Sequence, residues 1–135
     1  MIAVDTSAIV AIALDEPERA AFREAILESG SALISTASVL EVKMVLYGRR
    51  GPRAVVLADD LLRLPMFEIV PPGAADLAAA FDAFIVFGKG SGHPAALNYG
   101  DLFSYALAKV RGLPLLFKGT DFIETDIVRA VGGTI

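Results

Sequence analysis

The sequence predicts an α/β fold, a three-layer α/β/α sandwich around a central parallel sheet of about five strands. Three observations predict it. Short apolar runs alternate with longer segments of helical period. The runs are continuous rather than alternating, as in strands buried on both faces of a parallel sheet. No repeat, low-complexity tract or long linker divides the 135 residues, so a single domain spanning 1–135 is expected.

Ile2 to Val4 reads as a short buried strand, and Ser7 to Leu14 as an apolar helix. Pro17 suits the first turn of a second helix, Glu18 to Glu28, which Gly30 ends. Its apolar positions Ala21, Phe22, Ala25 and Ile26 follow the helical period. Ala32 to Ser35 is the second strand. The helix after it offers Val39, Leu40, Val42, Val45 and Leu46 as a broad apolar surface, and Gly48-Arg49-Arg50-Gly51-Pro52 is expected to break it. Another helix runs from about Arg53 to Leu64, stopped by Pro65. Phe67 to Val70 is the third strand, closed by Pro71-Pro72, and Ala74 to Phe87 is a mostly apolar helix. A glycine-rich loop, Gly88 to Pro94, leads to a helix from Tyr99 to Arg111. The strand Pro114 to Phe117, a helical turn near Phe122 and a short strand around Ile127 to Val131 complete the series. Most connections are expected to be right-handed crossovers.

Composition narrows the function. The chain has no cysteine, which excludes disulfides and thiolate metal ligation and fits a cytoplasmic protein. An apolar share of 55% is high for a soluble domain; it fits a doubly covered sheet, and also an apolar partner-binding surface. No stretch reaches transmembrane length, since Asp82 interrupts the longest candidate, Leu77 to Phe87. The N-terminus lacks a basic region, so neither a signal peptide nor a membrane partner is expected. A net charge of −4 argues against a protein that coats nucleic acid non-specifically. It leaves room for a metal-dependent nuclease, whose cation offsets its own acidic ligands.

Four acids stand at or just after strand–helix junctions: Asp5, Glu41, Asp101 and Asp121. Strand carboxyl ends share one edge of a parallel sheet, so acids scattered in sequence can meet there. Clustered carboxylates are costly without positive charge among them, and all-oxygen ligands suit Mg²⁺ or Mn²⁺. Each acid also has a plain structural role available. Asp5 can cap a helix, with Thr6 or Ser7 supplying a hydroxyl. Glu41 fits a capping box with Ser38. Asp101 can sit in the first turn of a helix capped by Asn98. Asp121 can cap the last helical turn, and Asp126 is a candidate supporting residue.

Weaker signals surround them. His93, the one histidine, lies in a loop without a second ligand nearby. Gly88-Lys89-Gly90-Ser91-Gly92 resembles a phosphate loop in composition but lacks its Gly-Lys-Ser/Thr ending, which argues against nucleotide binding. Arg49, Arg50, Arg53, Lys89 and Lys118 are candidate phosphate contacts, because an acidic centre would have to hold a phosphate-bearing substrate from its rim.

Ile2-Ala3-Val4-Asp5-Thr6-Ser7-Ala8 resembles the opening of PIN domains, in particular the VapC-type toxins of bacterial toxin–antitoxin pairs. Ser38-Val39-Leu40-Glu41 is similar to the segment carrying that family's second acid. Leu97 to Ala108, with Gly100-Asp101-Leu102, resembles the third-acid helix of one VapC branch, in which cysteine often stands at the place of Leu102. Leu115-Leu116-Phe117-Lys118-Gly119-Thr120-Asp121-Phe122 matches the closing motif. The resemblance runs from Met1 to about Val131, and the order and spacing of all four motifs make it specific.

The resemblance implies a Mg²⁺- or Mn²⁺-dependent endoribonuclease with one or two cations. Asp5, Glu41 and Asp101 would be the principal catalytic and metal ligands, and Asp121 would complete the shell directly or through water. It also implies an RNA substrate, homodimers and a VapB-type antitoxin that covers the site. The alternatives are a housekeeping PIN nuclease, or a PIN-fold RNA- or protein-binding module with little activity. A haloacid-type phosphatase needs a second Asp where Ser7 stands, and a receiver domain needs an acidic pair near the first strand.

Overall fold

The computed structural model describes residues 1–131. The chain runs β1 (Ile2–Val4), α1 (Thr6–Ala13), α2 (Arg19–Ser29), β2 (Ala32–Ser35), α3 (Thr36–Arg50) and α4 (Pro52–Leu62). It continues through β3 (Phe67–Val70), α5 (Ala74–Phe87), α6 (Tyr99–Arg111) and β4 (Leu115–Leu116). The four strands form one sheet in the order β3-β2-β1-β4, with every pair parallel. Ala3 is in register with Leu33 on one side and Leu115 on the other.

The expected sandwich is present, and strand alternation divides its core in two. Ile2, Val4, Ala32, Ile34 and Leu116 face one way and pack with α1, α2, α3 and α4. Ala3, Leu33, Leu115 and Phe117 face the other way, onto α5, α6 and Phe122. β1 and β2 are buried along their whole length, which explains their continuous apolar sequence. Among the described residues no helix is long and apolar enough to cross a membrane.

One expectation needs correction. Among the described residues the sheet has four strands rather than about five. The segment expected as the last strand reaches only an isolated parallel bridge between Arg129 and Leu115. Two backbone bonds hold it, Leu115 N–H to Val128 O and Ala130 N–H to Leu115 O, both 2.9 Å. β4 is itself two residues long and offers too little edge for a longer ladder. The break expected within Gly48 to Pro52 is present: α3 passes through Gly48 and ends at Arg50. The break falls at Gly51, whose φ of 79° is left-handed, and Pro52 then opens α4 at a position that needs no N–H donor.

Candidate active site

The topology prepares a crevice. From β1 the chain builds outward through β2 to β3, then returns to the far side of β1 as β4. Strand order therefore reverses between β1 and β4, and connections leaving their carboxyl ends diverge. Asp5 follows β1, and Asp121 lies in the turn after β4. Glu41 projects from α3, the helix that leaves β2, and Asp101 from the first turn of α6. All four acids line one cleft of about 440 Å³.

Asp5 is buried and caps α1. Its Oδ2 accepts from the Ser7 N–H at 3.0 Å and from Ser7 Oγ at 2.6 Å. Ser7 Oγ in turn accepts the Lys118 N–H at 3.0 Å, which ties the end of β1 to the end of β4. Capping and cleft lining thus fall to one residue.

Glu41 is half-buried and makes no capping box. Ser35 caps α3 instead, accepting from Ala37 N–H at 3.2 Å, so Ser38 already lies inside the helix. The Glu41 Oε1 accepts from Thr6 Oγ1 at 2.6 Å. The hydroxyls of Ser38 and Ser104 lie 3.3 Å apart and are buried, joining the two helices that carry Glu41 and Asp101.

Asp101 is buried and forms a reciprocal capping box with Asn98. Its Oδ2 accepts the Asn98 N–H at 3.0 Å, and its own N–H donates to Asn98 Oδ1 at 2.9 Å. Burial pushes its carboxyl up from 3.8 to about 7. The Asn98 N–H opposes that rise, while Asp5, Asp121 and Glu41 add to it. Asp121 is exposed, at the cleft's solvent side.

Of the five basic candidates, Arg49 and Lys118 line the cleft. Arg50, Arg53 and Lys89 are exposed and lie outside its lining. Lys118 is already engaged, with its Nζ 3.2 Å from Glu16 Oε1 and 3.4 Å from Glu18 Oε1. Glu16 above all holds that ammonium above the usual lysine range. Glu16 also lines the cleft, as a fifth acid that the sequence offered no reason to select. Its role depends on Lys118, far away in the chain. Asp126 stands apart from the cleft, accepting from Tyr105 OH at 2.6 Å and pairing with Lys109 at 2.7 Å. His93 holds its own loop, where Nδ1 accepts the Ala95 N–H at 3.0 Å.

The donor set is all oxygen and suits a hard divalent cation. Among the described residues no three acids stand close enough to enclose a cation by themselves. Mg²⁺ usually keeps several waters and takes only one or two carboxylates directly, so this spacing is compatible with it. Burial first, and then the charges of Asp5, Asp121 and Glu41, raise the Asp101 carboxyl, and a cation there would offset both.

Comparison with known proteins gives the family. The family model described as "PIN domain" matches residues 2–128. Ribonuclease VapC28 of Mycobacterium tuberculosis is 44% identical over 128 residues, covering 95% of this chain and 96% of the relative. Ribonuclease VapC30 of the same species is 45% identical over 124 residues, covering 92% and 94%. The chain belongs to the PIN domain family, among the VapC ribonucleases. In fold it is similar to M. tuberculosis VapC20, described as a toxin that cleaves the sarcin-ricin loop, with a TM-score of 0.76 at 18% identity and coverage of 95% and 97%. It is also similar in fold to a chain of VapBC2 from Rickettsia felis bound to a promoter DNA fragment, with a TM-score of 0.75 at 15% identity and coverage of 96% of each chain.

Proposed function

We propose that this protein is a Mg²⁺- or Mn²⁺-dependent endoribonuclease acting as the toxin of a toxin–antitoxin pair. One observation carries the reading: four acids from four separate elements line a single cleft at the β1/β4 reversal. Asp5, Glu41 and Asp101 would hold the cation, one or two of them directly and the remainder through water, and Asp121, at the open side, would complete its shell directly or through water. A bound cation supplies the Lewis acidity for hydrolysis of a phosphodiester. The protein's own groups orient the acids: Ser7 fixes Asp5, Thr6 fixes Glu41, and the Asn98 cap fixes Asp101. Arg49 at the rim would meet a phosphate of the RNA.

The partner assignment rests on the VapC relatives and on the apolar surface. A groove of about 640 Å³ between α5 and α6 is lined by Leu77, Phe81, Phe84, Tyr99 and Phe103. We assign this groove to a second copy of the chain. A VapB-type antitoxin would instead cover the acidic cleft, and such a partner and an RNA substrate imply a cytoplasmic protein.

The test is cleavage of RNA with Mn²⁺, with chelator, and with Asp101→Asn, followed by co-expression with the product of the neighbouring small gene. Cation-dependent cleavage that Asp101→Asn abolishes, and co-purification of the neighbour, are the expected results. Cleavage that survives the chelator sinks the metal reading. A chain that cuts RNA yet binds no neighbour and leaves its host unharmed is a housekeeping nuclease. That no three acids among the described residues enclose a cation by themselves is what a second reading would start from, a binding module with little activity. RNA binding without cleavage at millimolar Mn²⁺ would select it.

A further inference from the structure

Gly100 is the second residue of α6, between Tyr99 and Asp101. Its backbone is not left-handed, so the helix itself does not call for glycine there. Glycine is among the poorest helix formers, and alanine would serve the local backbone better. The reason for glycine lies across the cleft. A Cβ built at this position would come within 2.8 Å of Glu41 Cδ and Oε1, and closer still to Oε2. Those are its three nearest neighbours, and all belong to one side chain.

We propose that Gly100 is a positioning residue for Glu41. The missing side chain is the space in which the Glu41 carboxylate stands, against the first turn of α6 and beside Asp101. Thr6 holds the carboxylate there from the opposite side through its 2.6 Å hydrogen bond. A methyl group at residue 100 meets the mobile end of a glutamate rather than backbone. It is therefore relieved by rotating Glu41 out of the cleft, and the fold stays as it is. The inference rests on the proposed cation site, which it deepens by naming what fixes Glu41's contribution.

The experiment is a cycle of four proteins: wild type, Gly100→Ala, Glu41→Ala and the double variant. Each is measured for thermal unfolding without metal and for Mn²⁺ affinity by calorimetry, and Gly100→Ala is crystallised. The expected midpoint of unfolding for Gly100→Ala is equal to or above that of wild type. Its Mn²⁺ affinity is expected to fall roughly tenfold or more, the usual effect of disturbing a group that orients a ligand. In the Glu41→Ala background the same substitution is expected to change affinity by less than about twofold, because the carboxylate it displaces is gone.

Equal losses in both backgrounds overturn the proposal. So does a crystal structure of Gly100→Ala in which Glu41 still accepts from Thr6. If wild type binds no Mn²⁺, the cation reading fails by itself. The Glu41 position in the Gly100→Ala crystal then decides the positioning claim alone, supporting it if the Thr6 bond is lost and refuting it if the bond is kept.

Discussion

The Lys118 N–H donates to Ser7 Oγ at 3.0 Å, and the same hydroxyl donates to Asp5 Oδ2 at 2.6 Å. One side chain thereby locks the two strand ends that flank the crevice and orients the acid between them. Ser7→Ala removes both bonds and leaves Asp5 Oδ2 with the backbone N–H of residue 7 alone. The expected cost is about 1–2 kcal/mol of stability. A further loss of roughly tenfold or more in Mn²⁺ affinity is expected from the freed carboxylate. Urea unfolding and calorimetry measure the two effects, and unchanged Mn²⁺ affinity would separate Ser7 from the site.

The Asp101 carboxyl, raised to about 7, makes metal-free stability depend on pH. Between about pH 4 and 7 the folded protein keeps a proton that the unfolded chain has released. Stability then falls as pH rises through that window, and the loss is complete above about 7. Asp101→Asn is expected to flatten this slope and to gain about 2–4 kcal/mol near pH 8 in chelator. Asparagine retains an oxygen for the Asn98 N–H, so the cap survives. Saturating Mn²⁺, which favours the ionised carboxyl, is expected to reverse the wild-type slope. Unfolding midpoints across pH, with and without Mn²⁺, check both statements.

Arg49 and Lys89 differ in position, and salt dependence should tell them apart. Arg49 lines the cleft, whereas Lys89 stands in the loop after α5, outside it. Each phosphate contact on a single strand contributes about 0.7 to the slope of log K against log salt. Arg49→Ala is expected to lower the slope for RNA binding by about that amount, and Lys89→Ala to leave it unchanged. The reverse result would move the RNA path to the Lys89 loop.

The α5–α6 face is the expected contact between two copies. Phe81 is 59% exposed there and Leu77 72%, alongside Phe84 and Tyr99. Contiguous apolar surface of this kind usually marks an interface. Phe81→Asp is expected to shift the mass in light scattering from dimer to monomer without changing the Mn²⁺ affinity of the cleft. A wild type that is monomeric at high concentration would refute the assignment.

The layers and the four acids were legible in the sequence because each rests on a local signal. Continuous apolar runs marked β1 and β2, and Asp5, Glu41, Asp101 and Asp121 each stood at a junction. Local rules went astray where several residues satisfied the same rule. Ser35 and Ser38 both fit a helix cap, and the end of the strand at Ser35 decided for Ser35. Roles that need a partner from elsewhere in the chain were not legible. Glu16 is defined by Lys118, and Gly100 by Glu41. Nothing local separates Arg49 from Arg50 or Arg53, since facing the cleft depends on how α3 is rotated on the sheet and where α4 packs beside it.

The strand order β3-β2-β1-β4 has a kinetic consequence. Pairing β1 with β2 and β3 uses the nearer half of the chain, whereas Ala3 meets Leu115 only by closing a loop around nearly the entire fold. Such distant closures are entropically expensive and come slowly. A folding intermediate that holds β1, β2 and β3 would already present Asp5 and Glu41. It would still lack the reversal in strand order, and with it the docked strand that brings in Lys118 and Asp121. The cleft is therefore expected to form late in folding, so that a chain lacking β4 docking would carry its acids without assembling them.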